Sequence, residues 1–320
     1  MSFNNRVFGC AIIKSINSNY NADFSHQPRT LPNGVVYATD KALKYSIKNY
    51  LKDNYPDETV FYFKRLNENF NPLDLDAAYE HHFPANKAAT DKKTVAKDLL
   101  SCLDIRLFGA TYANKKKKMA ISIHGPVQIN HGVNIWKENN IYSEQIMSPF
   151  SDEKKSDNKD SDEFEEKGAT TLGRQAKLQE GHYFHHFSVN PKNIADLTAL
   201  AGDGAMSLQS GDIDKLKEAL RSGVTYFDSA AKSGTDNEFL LWVQLKADSK
   251  TVLPNFTELI KLEKTADKNV FDLSAVKEIT EEIAEDIEKI EIYYISQSVD
   301  VKNAPGNATQ FDINTRKTIK

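Results

Sequence analysis

Two stretches of this chain carry almost nothing that a core can use, and they decide how the rest must fold. Residues 52 to 90 hold one strand-like run, VFYFKRL, and otherwise no steady hydrophobic period. Residues 148 to 170, SPFSDEKKSDNKDSDEFEEKGAT, are charge-dense and nearly free of large apolar side chains. A segment that buries so little apolar surface cannot offset its ordering entropy, so both are read as insertions. With them set aside, the pattern is strand, helix, strand, strand, helix, strand. That is the split βαβ, or ferredoxin-like, order of an α+β domain.

The elements behind that order are legible one by one. RVFGCAIIKSI, Arg6 to Ile16, is apolar and β-branched enough for a buried strand. In ATDKALKYSIKNYL, Thr39 or Asp40 is placed to cap a helix, with Leu43, Ile47 and Tyr50/Leu51 on one face and Lys41, Lys44 and Lys48 on a second stripe. A helix is expected from about Asp91. Beyond it, LLSCLDIRLFGATYA and MAISIHGPVQI read as strands of a hairpin around NKKKK. GHYFHHFSVN and NEFLLWVQLK read as strands. SLQSGDIDKLKEALRSG reads as a helix with Ile213, Leu216 and Leu220 inward and Gly223 as its stop. SAVKEITEEIAEDIEKI places Val276, Ile279, Ile283, Ile287 and Ile290 on one helical face before a strand, EIYYISQSV. The polar residues from about Lys302 are expected to fray.

Composition narrows the chemistry. Lys and Arg number 41 against 45 Asp and Glu, a net charge of −4. That argues against a whole surface made for nucleic acid, though not against a basic groove. Two cysteines, Cys10 and Cys102, are too few for a disulfide framework or a four-cysteine zinc site. No apolar run has the length of a membrane helix, and the start lacks the marks of a signal peptide, so a soluble cytoplasmic chain without membrane contact is expected. Phosphate-loop, dinucleotide and nucleophile-elbow motifs are absent. His81-His82 and His185-His186 lack metal-ligand spacing, so neither a metal site nor a cofactor is expected. Asp23 is either a loop acid or base, or the cap of a turn. Asp104 and Arg106, two apart on a strand, would share a face, either as a structural ion pair or as groups placed for chemistry. Lys115 to Lys118 form a hairpin tip that either faces solvent or follows a polyanion. Gly125-Pro126 implies a bulge or an edge where backbones approach closely. Gln128 and Asn130 then share one side of that strand, either as amides suited to sugar, phosphate or base edges or as the polar cover of an exposed edge strand.

Taken together, CLDIRLFGATYA, a basic tip and ISIHGPVQINHG resemble the D-x-R-x-F-G and G-P-V-Q signatures of the Cas-seven family, the backbone subunits of Cascade-type CRISPR effectors, with the type I-B branch most similar. NSNYNAD, Pro28-Arg29 and the Thr39–Tyr50 stretch are similar to that family's N-terminal pattern, although Asn19-Tyr20-Asn21-Ala22-Asp23 stands where N-P-N-G-D-P is common and DSAAKSG where T-R-S-K is common. The DIDKLKEALRSG helix, the DSAAKSG loop and the NEFLLWVQL strand resemble its second palm helix, loop and closing strand.

The resemblance implies a discontinuous ferredoxin-like, RNA-recognition-motif palm (residues 1–51, 101–130 and 181–300) with large finger (52–100) and thumb (131–180) insertions. A disordered charged segment (151–167) and a polar tail (301–320) complete the expected layout. It implies a non-catalytic subunit that polymerises head to tail along CRISPR RNA, which lies across the palm. Target DNA is then reached through guide pairing, and other Cascade subunits complete the complex. Arg29, Lys41, Lys44, Lys48, Lys116, Lys117 and Lys232 are the phosphate candidates, Gln128 and Asn130 the strand candidates, and Arg174 the thumb candidate. The alternatives are a type III-like subunit cutting target RNA with Asp23 and a divalent metal, and a stand-alone ferredoxin-like RNA-binding module. The segment Ser151–Lys167, with eight acids and four lysines, is expected to be a dispensable tip.

Overall fold

The computed structural model describes residues 1–114, 117–138, 140–151 and 169–319, with the side chains of 147–151 and 169–172 left aside. The chain opens with strand β1 (Val7–Ser18), the two-residue β2 (Tyr37–Ala38) and helix α1 (Asp40–Asn54). Helices α2 (Leu75–His82), α3 (Lys92–Ser101) and α4 (Leu103–Phe108) follow. Next come β3 (Gly109–Asn114), β4 (Met119–His124), β5 (Val127–Ile129), β6 (Gly132–Asn134), β7 (Ile141–Ser151) and β8 (Ala169–Val189). The later part holds α5 (Ala195–Ala201), α6 (Ser210–Tyr226), β9 (Thr235–Leu245), β10 (Lys261–Lys264) and β11 (Asn269–Asp272). It ends with α7 (Ser274–Glu282), β12 (Ile287–Tyr294), β13 (Val299–Lys302) and β14 (Ala308–Asp312). Among the described residues no helix is long and apolar enough to cross a membrane.

The main sheet runs β14-β12-β9-β1-β8-β6-β2, with β5 and β7 also paired to β8. Within it, β9-β1-β8-β5 are antiparallel neighbours. Helix α1 lies between β1 and β5 in sequence, and α6 between β8 and β9. This is the ferredoxin-like order expected from the sequence. One edge of β8 carries β1 from Leu178 to Val189; the other carries β5, β6 and then β7 in succession. Beyond Leu178 the strand pairs with β7 alone and forms a two-stranded arm.

Both faces of the sheet are covered. Val7, Ala11 and Ile13 pack with Leu43, Ile47, Leu216 and Leu220 of α1 and α6. Phe8, Cys10 and Ile12 pack with Phe239, Leu241, Phe256, Phe271 and Val276, where the small β10-β11-β13 sheet and α7 close the second side. Strand β1 is therefore apolar without alternation, as a strand buried on two faces must be. The central strands of this sheet are therefore not open to solvent on either face.

Several sequence expectations change for identifiable reasons. LDIRLF is helical, not a strand, because both sides of it are buried and its L-I-L spacing imitates alternation. Asp104 and Arg106 consequently do not pair with each other. Asp104 accepts from the Phe61 and Tyr62 amides at 2.8 and 2.9 Å, and this contact takes the place of the strand expected in VFYFKRL. Arg106 forms a two-pronged pair with Asp212 at 3.0 and 2.9 Å and reaches Glu58 at 3.3 Å. The 52–90 stretch contains α2, whose Asp74 cap accepts from the Ala77 amide at 2.8 Å. His81 and His82 are thus on a helix. Helix α6 runs through Gly223, where a Cβ would sit 3.1 Å from the Ser46 carbonyl oxygen of α1; this glycine permits helix contact rather than a stop. Ile287 and Ile290 belong to β12, not to α7. The tail does not fray: β14 pairs in parallel with β12, and Asp312 accepts from the Ser296 and Thr315 side chains and amides.

Other expectations stand. Asp91 caps α3, accepting from the Thr94 amide at 2.9 Å. The hairpin is present as β3–β4, with Asn114 opposite Met119. At Gly125 a Cβ would lie 2.0 Å from the Phe108 carbonyl carbon and 2.2 Å from the Gly109 nitrogen. The close backbone approach expected there is the crossing of the β4–β5 turn over the end of α4.

Candidate nucleic-acid interface

The loop between β1 and α1 is held by its own polar side chains. Asn19 Nδ2 donates to the Ala176 and His26 carbonyls at 3.2 and 3.3 Å, tying the loop to β8. Asn21 Oδ1 accepts from the Thr39 amide at 2.9 Å and its hydroxyl at 3.0 Å. Thr39 occupies the N-cap position of α1, but its hydroxyl points to Asn21 and makes no cap bond. Asp23 Oδ1 accepts from the Ser25 and Gln27 amides at 2.8 and 2.9 Å. Its carboxylate therefore shapes the turn, the structural role that a loop Asp most often has.

The lysine stripe of α1 is graded from free to sealed. Lys41 is 84% exposed and 4.0 Å from Asp40. Lys44 bonds Asp40 at 3.0 Å and lies 5.7 Å from the Phe108 ring centre. The Lys44 ammonium outweighs burial and holds the Asp40 carboxyl below its usual range. Lys48 meets the fully buried Asp104 at 3.1 Å and leans toward the Tyr62 and Phe108 rings. It is a structural cation, so the geometry removes it from the phosphate set.

Arg29 and Lys232 come to the same loop from different directions. Arg29 Nε donates to the Ala22 carbonyl at 3.1 Å. Lys232 sits on the turn between α6 and β9, which docks on the end of β1 through the Asn19 amide and the Ala231 carbonyl at 2.7 Å. Its ammonium donates to the Tyr20 carbonyl and lies 5.5 and 5.9 Å from the Tyr20 and Phe227 ring centres. No carboxylate among the described residues pairs with it, and burial pushes its pKa down to about 8.

The remaining candidates are not gathered here. Lys117 folds back over the Tyr79 ring, 5.2 Å away, and onto the Lys87 carbonyl; Lys116 and the segment 152–168 lie outside the described residues. Asn130 Oδ1 accepts from the His186 amide at 2.7 Å and its carbonyl from His185 Nδ1 at 3.0 Å, so its acceptors serve the sheet. Gln128 is exposed and donates to the Gly125 carbonyl at 2.8 Å. It stands level with Phe8, ten residues or ~33 Å of strand from Ser18. Arg174 is exposed on the arm, opposite Gln145 and beyond the end of β1. The neighbouring His185 and His186 of β8 point to opposite faces as expected. Burial drives the His185 pKa down to about 4, and its Nε2 meets the Tyr20 hydroxyl at 3.3 Å.

Sequence reasoning missed three contributors. Asn21 pins the helix start. His131 lies 3.3 Å from the Asp40 amide and 3.6 Å from its carboxylate. Phe24 is 98% exposed at the loop tip. An aromatic in an otherwise polar loop was the available signal for the last; the other two depend on pairings that only the fold creates.

The loop thus gathers cations, amides and an exposed ring at one end of a covered sheet, a combination suited to a polyanion with stacking bases. A family model for CRISPR-associated protein Cas7 matches residues 5–292. No curated protein matches the chain. Among solved structures, a chain of a "CRISPR RNA-guided surveillance complex, pre-nicking" shares the fold, with a TM-score of 0.53 at 12% identity over 96% of each chain.

Proposed function

The chain belongs to the CRISPR-associated Cas7 family, and from that premise we propose that it is a guide-RNA-binding backbone subunit of a type I effector. Copies assemble head to tail along the guide, other subunits cap the assembly, and target DNA is read by guide pairing. A solved structure that shares its fold comes from a CRISPR RNA-guided surveillance complex. The observation that carries the binding site is Lys232, a cation drawn into the protein with no carboxylate among the described residues to neutralise it. An RNA phosphate beside it would supply the missing charge. Arg29 and the exposed Lys41 extend the same path, with Lys44 behind them and Arg174 guiding the strand along the arm. The same reading divides the chain into a palm (1–51, 101–130 and 181–300), a finger (52–100) and a thumb (131–180), with the β1–α1 loop at the palm and the β7–β8 arm in the thumb.

The subunit holds RNA without cutting it. Asp23, the one acid placed for type III-like chemistry, has a carboxylate oxygen committed to two loop amides. The test is co-purification from cells carrying a CRISPR array, followed by incubation with complementary RNA and Mg²⁺. Stoichiometric guide bound to several protein copies, with the complementary RNA intact, is the expected result. Replacing Arg29, Lys41 and Lys232 together should strip the guide and reduce the log–log salt slope by ~0.7 per lost phosphate. Periodic cuts that vanish in Asp23→Ala would replace this reading with the nuclease, and protein free of guide would leave a stand-alone module.

A further inference from the structure

The finger insertion repeats the turn that builds the β1–α1 loop. Asn67 Oδ1 accepts from the Asn69 and Asn71 amides, both at 3.0 Å, as Asp23 does from Ser25 and Gln27. Leu66 bridges Pro72 as Ala22 bridges Pro28. The Asn67 amide donates to the Asn71 carbonyl at 2.8 Å, matching Asp23 and Gln27 at 2.8 Å, and the Leu73 amide reaches Arg65 as the Arg29 amide reaches Asn21. The fourth residue after the bridged one is left-handed in both, Phe70 at φ 60° and His26 at φ 62°. A non-glycine residue in that region is uncommon, and a bulky one more so. Each turn also exposes a phenylalanine, Phe24 at 98% and Phe70 at 83%.

What surrounds the second turn is cationic. It walls a cleft of about 830 Å³ with Lys52, Lys64, Arg65 and His81 in its lining. Lys52 pairs with Asp53 and faces the Phe63 ring, and Glu68 is the one acid on the wall. Lys64 is exposed and has no ion-pair partner among the described residues. Arg65 donates through Nε to the neutral His82 ring at 3.1 Å, and burial together with this guanidinium drives the His82 pKa down to about 4. Neither cation has a carboxylate partner among the described residues, and the turn that walls the cleft carries the exposed Phe70 ring. Cations that follow a backbone and a ring on which a base stacks are the two parts of a single-strand site. The cleft lies at the C-terminal end of α1, ~18 Å from the guide loop at its N-terminal end.

We propose that this finger cleft binds a second single-stranded nucleic acid, distinct from the guide, with phosphates on Lys64 and Arg65 and a base on Phe70. The inference rests on the guide occupying the β1–α1 loop. Its test uses the guide-loaded assembly and labelled oligo-dT and oligo-rU that do not pair with the guide. Lys64→Ala with Phe70→Ala, both on exposed side chains, should weaken capture about tenfold or more and reduce the salt slope by ~0.7, while the guide extracted per protein stays constant. Loss of dT capture marks a DNA strand and loss of rU capture a transcript; either supports the proposal. Unchanged capture of both overturns it. So does guide loss in step with oligonucleotide loss, which makes the cleft part of the guide path, and so does competition by poly-glutamate better than by either oligonucleotide. Failure of the guide reading would show separately, as guide loss that never responds to Arg29→Ala with Lys41→Ala.

Discussion

Lys41 and Lys48 look equivalent in sequence, and the fold makes them opposites. Lys48 neutralises Asp104, which is buried completely. Removing one partner of a buried pair leaves an uncompensated charge and costs ~3 kcal/mol or more. Lys48→Ala should therefore lower the unfolding midpoint in denaturant sharply, whereas Lys41→Ala should leave it in place and weaken RNA binding. Equal effects of the two on stability would contradict this division. Lys232 makes a third case, in which stability and binding respond with opposite signs. Its folded pKa, about 8, lies below the unfolded value of about 10.4. Below about pH 8 both states are protonated and the burial penalty is fully present. Between those values the unfolded chain holds the extra proton, so stability rises with pH across that window. Lys232→Met should raise the melting temperature of guide-free protein at pH 7, remove the climb toward pH 10, and weaken guide binding. A melting temperature that shifts equally at pH 7 and pH 10 would show that the charge is not the cause. The spacing of these lysines was legible in the sequence. Their commitments were not, because Asp104 lies far along the chain from Lys48 and reaches it only through α4.

Helices were readable where a single face is buried and misread where two are. Leu43, Ile47, Tyr50 and Leu51 mark α1 by their spacing, and they are buried as expected. LDIRLF offers no contrast between faces, since Leu103 to Leu107 are all buried, so its period carries no information. The same ambiguity hid the break between α7 and β12, where the isoleucine spacing continues past the end of the helix. Gly125 shows the opposite case, a local signal whose cause is distant. Gly125→Ala would drive a methyl group into the Phe108–Gly109 backbone, and overpacking of this kind costs ~1–3 kcal/mol. Gly211→Ala, at the start of α6 with nothing within 4 Å of the new carbon, is the matched control and should be neutral or mildly stabilising. Denaturant midpoints for the pair decide whether the α4–β5 crossing is as tight as its geometry. A Gly125→Ala protein as stable as the control would refute it.

For the molecule as a whole, the covered second face of the sheet makes the RNA path testable. An open recognition sheet exposes aromatics in its centre; here Phe8, Phe239 and Phe271 are buried together. Photo-crosslinking of a thiouridine-substituted guide should therefore label peptides from residues 19–39 and 227–234, and not the β1 or β9 peptides that carry Phe8 and Phe239. Crosslinks centred on those phenylalanines would mean that the β10-β11-β13 layer lifts away when RNA binds. Strand order was recoverable from the sequence because it follows from connectivity. The second layer was not, because residues 246–302 read as ordinary short elements with nothing to indicate which surface they would cover.

Strand β8 links these scales. From Leu178 to Val189 it has neighbours on both edges, and from Leu178 outward to Gly173 it continues with β7 alone. Among the described residues it is mechanically a cantilever, clamped inside the sheet at one end and continuing past its edge at the other, with no loop at the point of emergence to act as a hinge. A force on the arm is then taken up as twist along one continuous backbone and delivered to β1, the strand that leads into the β1–α1 loop. The inclination of the arm is fixed by the coiling of that strand, so the pitch of any filament that uses the arm as its connector is written into the interior of each copy.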